Sequence, residues 1–452
     1  MDNVNRTLFD YYRVPQELLE SVTFADDAAA AETGFFQFGK GVTCFGRCQS
    51  GVAATAADAP SFDASKHVHV GGSAVRLPFD LGEAVQNLRL ERYVKNNSRE
   101  REPFPYGAVS YKLYYSIRNS LPFPVRRQLQ RFYFQDWKQI PFPTWPVDAT
   151  VDTLHERALR LAMEAAGVAR WPFIWFWPNG APNCLIMTHD VETAAGRDFT
   201  PELIELDASY GFKAAYQVVP EQRYTVSDEY VSTIRRHGCE FNIHDLNHDG
   251  RLYSERNEFA RRAAEINNYA RKYAAAGFRA GAMYRRQDWF DLFDFSYDMS
   301  VSSVAHLDPL RGGCCTVMPY FVGKILEIPL TTTQDYTVFN ILNDFSIDLW
   351  KQQVALIRER NGLMSFLAHP DYLIEPRSRN VYESLLDYLR KTVADGGIWA
   401  ALPGELDRWW RARDKMQLVN RSGQWQIEGP EKEKATVAYV TLERDRLQYT
   451  LS

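Results

Sequence analysis

The middle of the chain alternates between short apolar segments and segments with helical periodicity, and this alternation constrains the fold more than any other feature. The candidate strands are 184–187, 214–219, 239–243, 278–283, 300–303, 325–330, 363–368 and 398–401. Strands that alternate with helices form a parallel sheet. Roughly seven or eight such strands predict an α/β fold with a distorted or complete (β/α) barrel, and an open doubly wound sheet is the alternative. No GxGxxG segment follows the first strand, so a dinucleotide site has no support.

Capping residues mark where the helices between these strands begin and end. Thr200-Pro201 predicts the start of the first helix and Gly211 its end, because a capping hydroxyl and an early proline favour helix initiation. Ser227 predicts the start of the second helix, which ends at Gly238. The remaining helices are predicted to end at Gly277 and to span 346–360 and 381–393.

The flanking segments differ in composition and predict separate parts. Residues 1–95 have short apolar runs broken by Gly and Asp, which predict a β-containing N-terminal region. Residues 96–180 are rich in Pro, Arg and aromatic side chains and predict a helical connector, with one helix at 151–166. The barrel then occupies 181–410, and 411–452 form a short β extension. About 40 residues cannot bury a core alone, so the extension packs on the barrel or, as we favour, completes the N-terminal β region.

Charge and composition exclude several classes of protein. The 452 residues include 52 Lys and Arg and 57 Asp and Glu, a net charge of −5, which argues against nucleic-acid binding because phosphate neutralisation needs a basic excess. No apolar run is long enough to span a bilayer and no secretory signal is visible, so we expect a cytoplasmic chain without a transmembrane segment. The 6 cysteines are expected to be free thiols.

Polar side chains follow several of the predicted strands, where the active face of a (β/α) barrel lies. Thr188–Glu192 follow the first strand and His244–His248 follow the third. Arg279 lies on the fourth strand, and His369 follows the strand at 363–368. Because the carboxyl ends of parallel strands meet at one face, we expect these groups to lie close together.

His244 and His248 are four residues apart, a spacing that allows both imidazoles to share a metal ion on one face of a helix or tight turn. With 9 histidines in the chain, random placement gives about 0.16 such pairs, so a surface pair is the competing interpretation. Two imidazoles need an anionic third ligand to form a catalytic site. Asp190 and Glu192 point the same way in an extended chain, so one can bind metal while the other acts as a base.

Several of these side chains also have plainer interpretations. Asp190 and Glu192 could cap the following helix, where acidic residues are common. Arg279 could form an ordinary salt bridge, and His369 could be a hydrogen-bonded core histidine. His189 is expected to pack against or orient a neighbour rather than to bind metal.

The order of the motifs resembles that of the polysaccharide deacetylases, the NodB-like carbohydrate esterases. The resemblance covers about 182–403 and rests on Thr188-His189-Asp190-Val191-Glu192, the His-x-x-x-His at 244 and 248, Arg279, and Leu367-Ala368-His369. The family's usual first motif is Thr-Phe-Asp-Asp, whereas here Val191 takes the second carboxylate position and Glu192 follows it. Arg279 lacks the usual neighbouring prolines, and the family's Asp-Trp motif has no clear counterpart, so the resemblance is to a divergent branch.

This resemblance implies a distorted (β/α) barrel of about seven strands. It also implies metal-dependent removal of an N- or O-acetyl group from a sugar or glycan, in a chain similar to proteins of surface-polysaccharide assembly. Glu192, His244 and His248 would bind Zn²⁺ or another divalent transition metal, and Asp190 would act as the base. Arg279 would pair with Asp190, and His369 would give a proton to the leaving amine.

Three further hypotheses stay open. The same barrel could hydrolyse a non-sugar C–N bond, such as that of a cyclic imide or ureide. It could also be a catalytically silent barrel that binds glycan. The basic and aromatic stretch 118–138 could contact a membrane surface, although a packed helix with a solvated basic face is the plainer interpretation.

Overall fold

The structure is a computed structural model that describes residues 3–26, 32–49, 54, 56–59, 62–94, 123–443 and 446–452. The helices are α1 Asn3–Tyr12, α2 Gln16–Glu20, α3 Leu81–Arg89, α4 Phe123–Tyr133, α5 Thr150–Ala166, α6 Ala194–Ser209, α7 Asp228–Arg236, α8 Arg256–Lys272, α9 Asp348–Arg358, α10 Pro370–Leu373, α11 Pro376–Gly396 and α12 Pro403–Asp414. The strands are β1 Thr23–Asp26, β2 Thr33–Gln37, β3 Thr43–Arg47, β4 His69–Gly71, β5 Ala74–Leu77, β6 Arg170–Ile174, β7 Cys184–Val191, β8 Ala214–Val218, β9 Glu240–His244, β10 Gly277–Arg279, β11 Tyr297–Asp298, β12 Tyr320–Val322, β13 Ile325–Glu327, β14 Leu363–Ala368, β15 Trp399–Ala400, β16 Gln417–Arg421, β17 Gln424–Glu428, β18 Val437–Glu443 and β19 Arg446–Leu451.

The central sheet is formed by the region in which strands and helices alternate. Its order is β12-β13-β11-β10-β9-β8-β7-β14, and β15 also pairs with β7. Neighbouring strands run parallel, except that β12 is antiparallel to β13. Strand β7 is buried along its whole length, as a strand covered on both faces must be. The curled sheet and its surrounding helices confirm the predicted distorted (β/α) barrel.

The helices confirm one predicted start and correct another. Helix α7 begins after Ser227, whose Oγ accepts a hydrogen bond from the Tyr230 amide at 3.1 Å. Helix α6, however, begins at Ala194 rather than at Thr200. Thr193 provides the cap, because its Oγ1 accepts a hydrogen bond from the Gly196 amide at 3.3 Å. Pro201 therefore lies inside the helix and removes one backbone donor without ending it.

Two predicted strands also differ in the structure. Strand β10 ends at Arg279 rather than at 283, because Gly281–Met283 form a tight turn in which Ala282 has a φ of 55°. The segment 300–303 is not a strand. Its place in the sheet is taken by β11, and Ser302 forms an isolated bridge to Leu330.

The segments on either side of the barrel share one hydrophobic core. Leu8 of α1, Leu154 of α5, Trp171 of β6 and Val440 of β18 all belong to it. Strand β18 pairs with β6 on one side and with β19 on the other. β18 and β19 thus add to a strand within the predicted connector, and β16 and β17 form a two-stranded sheet of their own, so the favoured completion of the N-terminal β region is wrong for the described strands. The four-part domain division stays a prediction.

Two further expectations from composition concern the cysteines and the bilayer. All six cysteines are free and buried, which confirms the absence of a disulfide scaffold. Among the residues described, none of the helices combines the length and the apolar character that a bilayer-spanning segment needs.

Candidate active site

The carboxyl ends of four strands bring the predicted site residues together at one edge of the sheet. Asp190 is the penultimate residue of β7, and His244 is the last residue of β9. Arg279 ends β10 and pairs in register with His244. His369 directly follows β14, whose last residue pairs with His189 in β7. The parallel register therefore fixes which of these side chains face one another.

Asp190 and Arg279 form a buried ion pair. Arg279 Nη1 donates hydrogen bonds to Asp190 Oδ1 and to Thr188 Oγ1, both at 2.9 Å, and its Nε donates to the Met299 carbonyl at 2.9 Å. Burial works to raise the pKa of Asp190, but the Arg279 guanidinium outweighs burial and holds the pKa below its usual value. Asp190 is thus kept as a carboxylate in a site where water is largely excluded.

Glu192, His244 and His248 form a cluster that can hold a metal ion. One ligand atom from each lies within 4.8 Å of the others. Glu192 Oε1 is 3.0 Å from His248 Nε2, and Asp190 Oδ2 is 3.7 Å from His244 Nε2. Burial works to raise the pKa of Glu192, but the nearby His248 holds it well below its usual value.

The imidazole nitrogens of this cluster test whether a cation fits. Both histidines are buried, and Nε2 of His244 has no hydrogen-bond partner among the described residues, whereas Nε2 of His248 contacts Glu192 Oε1. His244 Nδ1 lies 3.1 Å from the Arg279 carbonyl, so this nitrogen carries the proton and Nε2 keeps its lone pair. Two imidazole nitrogens that converge on one half-buried carboxylate, one of them without a hydrogen-bond partner, fit a divalent metal with nitrogen and oxygen ligands.

His244 and His248 are brought together by a loop and not by a helix. Asp245 and His248 have positive φ values of 57° and 54°, and the rings lie 4.9 Å apart. Gly281 packs against this loop so closely that a Cβ there would lie 2.6 Å from Asp245 Oδ2 and 2.9 Å from His248 Cδ2. Gly281 is therefore a site residue that the sequence analysis missed, because a lone glycine gives no signal of close approach.

His369 is held by a carboxylate that the sequence analysis also missed. Asp335 accepts hydrogen bonds from the His369 ring Nδ1 at 2.6 Å and from its backbone amide at 2.7 Å. Burial lowers the pKa of His369, but Asp335 and then Glu192 more than offset burial and raise the pKa to about 10. Nε2 of His369 lies 3.7 Å from Glu192 Oε1. A protonated imidazole thus faces the cluster of Glu192, His244 and His248.

Two other residues near the motifs have supporting contacts. His189 lies between the Ala368 carbonyl at 2.9 Å and Asp207 Oδ2 at 2.8 Å, so it orients neighbouring elements and faces away from the cluster. Asp371 accepts a hydrogen bond from the Glu192 amide at 3.2 Å and so supports the segment that carries this carboxylate.

Comparison with known proteins places the chain beside carbohydrate deacetylases of known structure, at low identity. No family model and no curated protein matches the sequence. A Mycobacterium smegmatis protein provisionally assigned as a polysaccharide deacetylase is 17% identical, with a TM-score of 0.44, and the match covers 56% of this chain and 98% of that one. The peptidoglycan deacetylase PdaC from Bacillus subtilis is 12% identical over 51% of this chain and 93% of its own, with a TM-score of 0.33.

A third similar structure is a mutant of BA3943, a CE4 family pseudoenzyme. It is 14% identical over 51% of this chain and 68% of its own, with a TM-score of 0.33. Similarity at these TM-scores does not assign a function, which depends on the chemistry of the site. The described residues define a distorted α/β barrel. The edge formed by the carboxyl ends of its parallel strands carries a Glu/His/His cluster between an Asp–Arg pair and an Asp–His pair.

Proposed function

We propose that this chain is a metal-dependent hydrolase that removes an acetyl group from an N-acetylated or O-acetylated sugar or glycan. The observation that carries the proposal is the juxtaposition of the Glu192, His244 and His248 cluster with Asp190 on one side and His369 on the other. A hydrolase that cleaves an amide needs an electrophile, a base and an acid around one carbonyl, and this edge supplies candidates for all three.

Glu192, His244 and His248 would hold the metal ion, and the convergence of their ligand atoms, with His244 Nε2 free of hydrogen bonds to the described residues, supports this assignment. Zinc suits two imidazoles and one carboxylate better than magnesium does, because magnesium prefers oxygen ligands. When bound, the ion would supply Lewis-acid activation of the acetyl carbonyl and of water. Glu192 rather than Asp190 is assigned as the third ligand because Asp190 is already committed to Arg279.

Asp190 would accept the proton of the attacking water. Its pair with Arg279 keeps the carboxylate ionised, and Oδ2 stays on the side of His244, 3.7 Å from the imidazole. The Arg279 guanidinium is fully buried and also bonded to Thr188, so the carboxylate is held in one orientation. Preorganisation of this kind lowers the cost of aligning the base with the water.

His369 would donate the proton that the leaving nitrogen requires. An amine anion is a very poor leaving group, so an amide substrate depends on this step more than an ester does. Asp335 bonded to Nδ1 leaves Nε2 as the nitrogen that faces the site, and it keeps the ring in its protonated form.

Two tyrosines beside His369 favour a sugar over a cyclic imide or ureide. The Tyr372 ring lies 5.1 Å from the His369 ring, and Tyr336 packs on Tyr372 at 5.3 Å. Both residues are half-buried. The apolar faces of a pyranose ring stack on such aromatic side chains.

Metal analysis combined with acetate release tests the proposal. Zinc-replete protein should contain about one metal ion per chain and release acetate from at least one of a panel of N- and O-acetylated sugars. His244→Ala should lose metal and activity together, whereas His237→Ala, at an exposed histidine, should keep both. Asp190→Asn should keep the metal and lose roughly 10²–10⁴-fold in turnover.

The same measurements separate the alternatives. Turnover of a cyclic imide or ureide without acetate release would replace the sugar by another C–N substrate. A metal-free protein with no turnover on either panel would instead favour a catalytically silent glycan-binding barrel.

A further inference from the structure

A cavity that the proposed function does not use lies away from the proposed active site. Its volume is about 440 Å³, within the usual range for small-molecule sites. It is formed by α1, α3, α12 and the turn between β12 and β13. Lys324 in this turn directly precedes β13, and β13 runs parallel to β11. The cavity is therefore at the amino ends of the parallel strands, opposite the edge that carries Glu192 and His244.

Basic side chains dominate the lining of this cavity. Its basic members are Arg6, Arg13, Arg89, Lys324, Arg411, Arg413 and Lys415, against the acidic Asp10 and Asp414. Lys324 and Arg411 have carboxylate partners that do not line the cavity, at 3.4 Å from Asp294 and 2.8 Å from Asp407. The remaining positive charge is larger than the two acidic residues can neutralise, in a chain whose overall net charge is −5.

Arg13 and Arg89 have hydrogen-bonding capacity that the protein does not use. Arg13 is 5% exposed and pairs with Asp414, yet its Nε has no hydrogen-bond partner among the described residues. Arg89 packs over the Tyr320 ring, 5.3 Å from its centroid, and its Nε also has no partner among them. Among the described residues Arg89 has no carboxylate in ion-pair range, although the charge of the more distant Asp152 acts on it. Buried guanidinium nitrogens without partners are costly unless an anion joins them.

Arg413, a third arginine of the lining, has a different role. It donates to the backbone carbonyls of Tyr11, Ile174 and Trp175, at 2.8–3.0 Å, and so ties α12 to α1 and β6. Burial, together with the charge of Arg13, lowers the pKa of Arg413 to about 9. Arg413 therefore adds fixed positive charge to the cavity without needing a ligand for its own hydrogen bonds.

We propose that this cavity binds a small molecule that carries a phosphate group. A phosphate offers several strong acceptor oxygens, and planar guanidinium groups bind such oxygens in pairs. It would give partners to Arg13 and Arg89 and would reduce the repulsion among the arginines. A carboxylate offers fewer oxygens, and so it satisfies fewer donors in a site lined by this many. The site is independent of the acetyl-removing chemistry proposed above.

Calorimetric titration of the protein with inorganic pyrophosphate tests the proposal. Malonate, titrated at the same ionic strength, is the dicarboxylate used for comparison. Pyrophosphate should bind more tightly than malonate. Arg89→Gln should weaken pyrophosphate binding by about tenfold or more, since it removes a charge-assisted contact. Lys415→Gln, at an exposed position on the rim, should weaken it less. Lys432→Gln removes the same charge from an exposed position elsewhere and should leave the affinity within about twofold.

His244→Ala should also keep the pyrophosphate affinity, which separates this cavity from an anion bound at the metal cluster. The proposal would be overturned if the wild-type protein did not bind pyrophosphate. It would also be overturned if Arg89→Gln bound pyrophosphate as tightly as the wild type while unfolding at the same urea concentration. Loss of binding in His244→Ala would likewise overturn it, because the anion would then lie at the other edge of the sheet. Malonate binding as tightly as pyrophosphate would exclude phosphate as the ligand class.

Discussion

Replacement of His369 tests whether this residue acts as an acid or only packs against its neighbours. His369→Ala should lower turnover of an N-acetylated substrate by roughly 10²–10⁴-fold, the usual contribution of a positioned acid. An activated ester should lose much less, because its leaving group departs without a proton. Steady-state rates on the two substrates, with metal content measured for each preparation, check this. Equal losses on amide and ester would assign His369 to binding or packing.

Asp335 is a positioning residue that acts through His369. Asp335→Asn removes the charge that keeps the imidazole protonated, so amide turnover should fall by roughly 10–10³-fold. In the His369→Ala background the same change should cost almost nothing more, since the two residues act as one unit. Asp348→Asn, at an exposed acid 80% accessible, is the matched control. Additive losses in the double variant would show that Asp335 works independently of His369.

At the residue scale, the sequence predicts the residues proposed to carry the chemistry better than the residues that hold them in place. Asp190, His244 and Arg279 could be singled out because each follows or lies on a predicted strand, and the structure brings them together. Asp335 could not be, because it lies beyond the end of β13, at the start of a short helical segment that has no regular spacing from His369. Gly281 could not be either, because its close approach to the His248 loop exists only in three dimensions.

At the scale of elements, a boundary could be predicted where the local sequence sets it, and could not be predicted where a contact with a distant residue sets it. The segments 214–219, 239–243 and 363–368 predicted β8, β9 and β14 nearly to the residue, and β14, which is buried along its whole length, has the clearest apolar pattern. The start of α6 could not be predicted, because Thr193 caps it while it also contacts Asp371, a residue far along the chain. The local sequence at Thr200 also favours a helix start, but the tertiary contact of Thr193 with Asp371 sets the observed start of α6.

Helix α4 allows a test of the predicted membrane contact within 118–138, of which 118–122 lie outside the described residues. Val125, Leu129 and Phe132 are 44%, 46% and 63% exposed, at a spacing that places them on one face. The helix contains three arginines and no acid. Vesicles with anionic lipid should therefore carry the protein upward in flotation, and Phe132→Ser should reduce this several-fold. Val168→Ser, at an apolar residue 39% exposed elsewhere, is the control, and flotation unaffected by Phe132→Ser would leave α4 an ordinary surface helix.

At the scale of the whole molecule, a buried acidic pair should make stability depend on pH. Asp298 and Glu327 face each other across β11 and β13, and burial followed by the charge of Asp298 raises the pKa of Glu327 well above its usual value. A raised carboxyl pKa favours the folded state at low pH, and this contribution is lost as pH rises from the unfolded pKa through the folded one. A tenfold difference in proton affinity between the folded and unfolded states corresponds to about 1.4 kcal/mol.

Glu327→Gln removes this titration while it keeps the shape and the acceptor for the Val301 amide. Between pH 5 and pH 8, the wild-type free energy of unfolding should fall by about 1–3 kcal/mol more than that of Glu327→Gln. Urea unfolding at the two pH values measures the difference. Glu359→Gln, at an exposed position, should behave like the wild type, and identical slopes for all three proteins would contradict the assignment.

Metal binding should also stabilise the whole fold, because Glu192, His244 and His248 come from different strands and loops that the ion would join. With free zinc buffered at a hundred times its dissociation constant, the free energy of unfolding should exceed that of chelator-treated protein by about 2.7 kcal/mol. His244→Ala should lose most of this response, because it removes a buried imidazole, proposed as a ligand, whose Nε2 has no hydrogen-bond partner among the described residues. His237→Ala should respond as the wild type does. If His244→Ala keeps the full zinc response, the ion binds somewhere else, and the strands at the active edge are held together by packing and the Asp190–Arg279 pair without it.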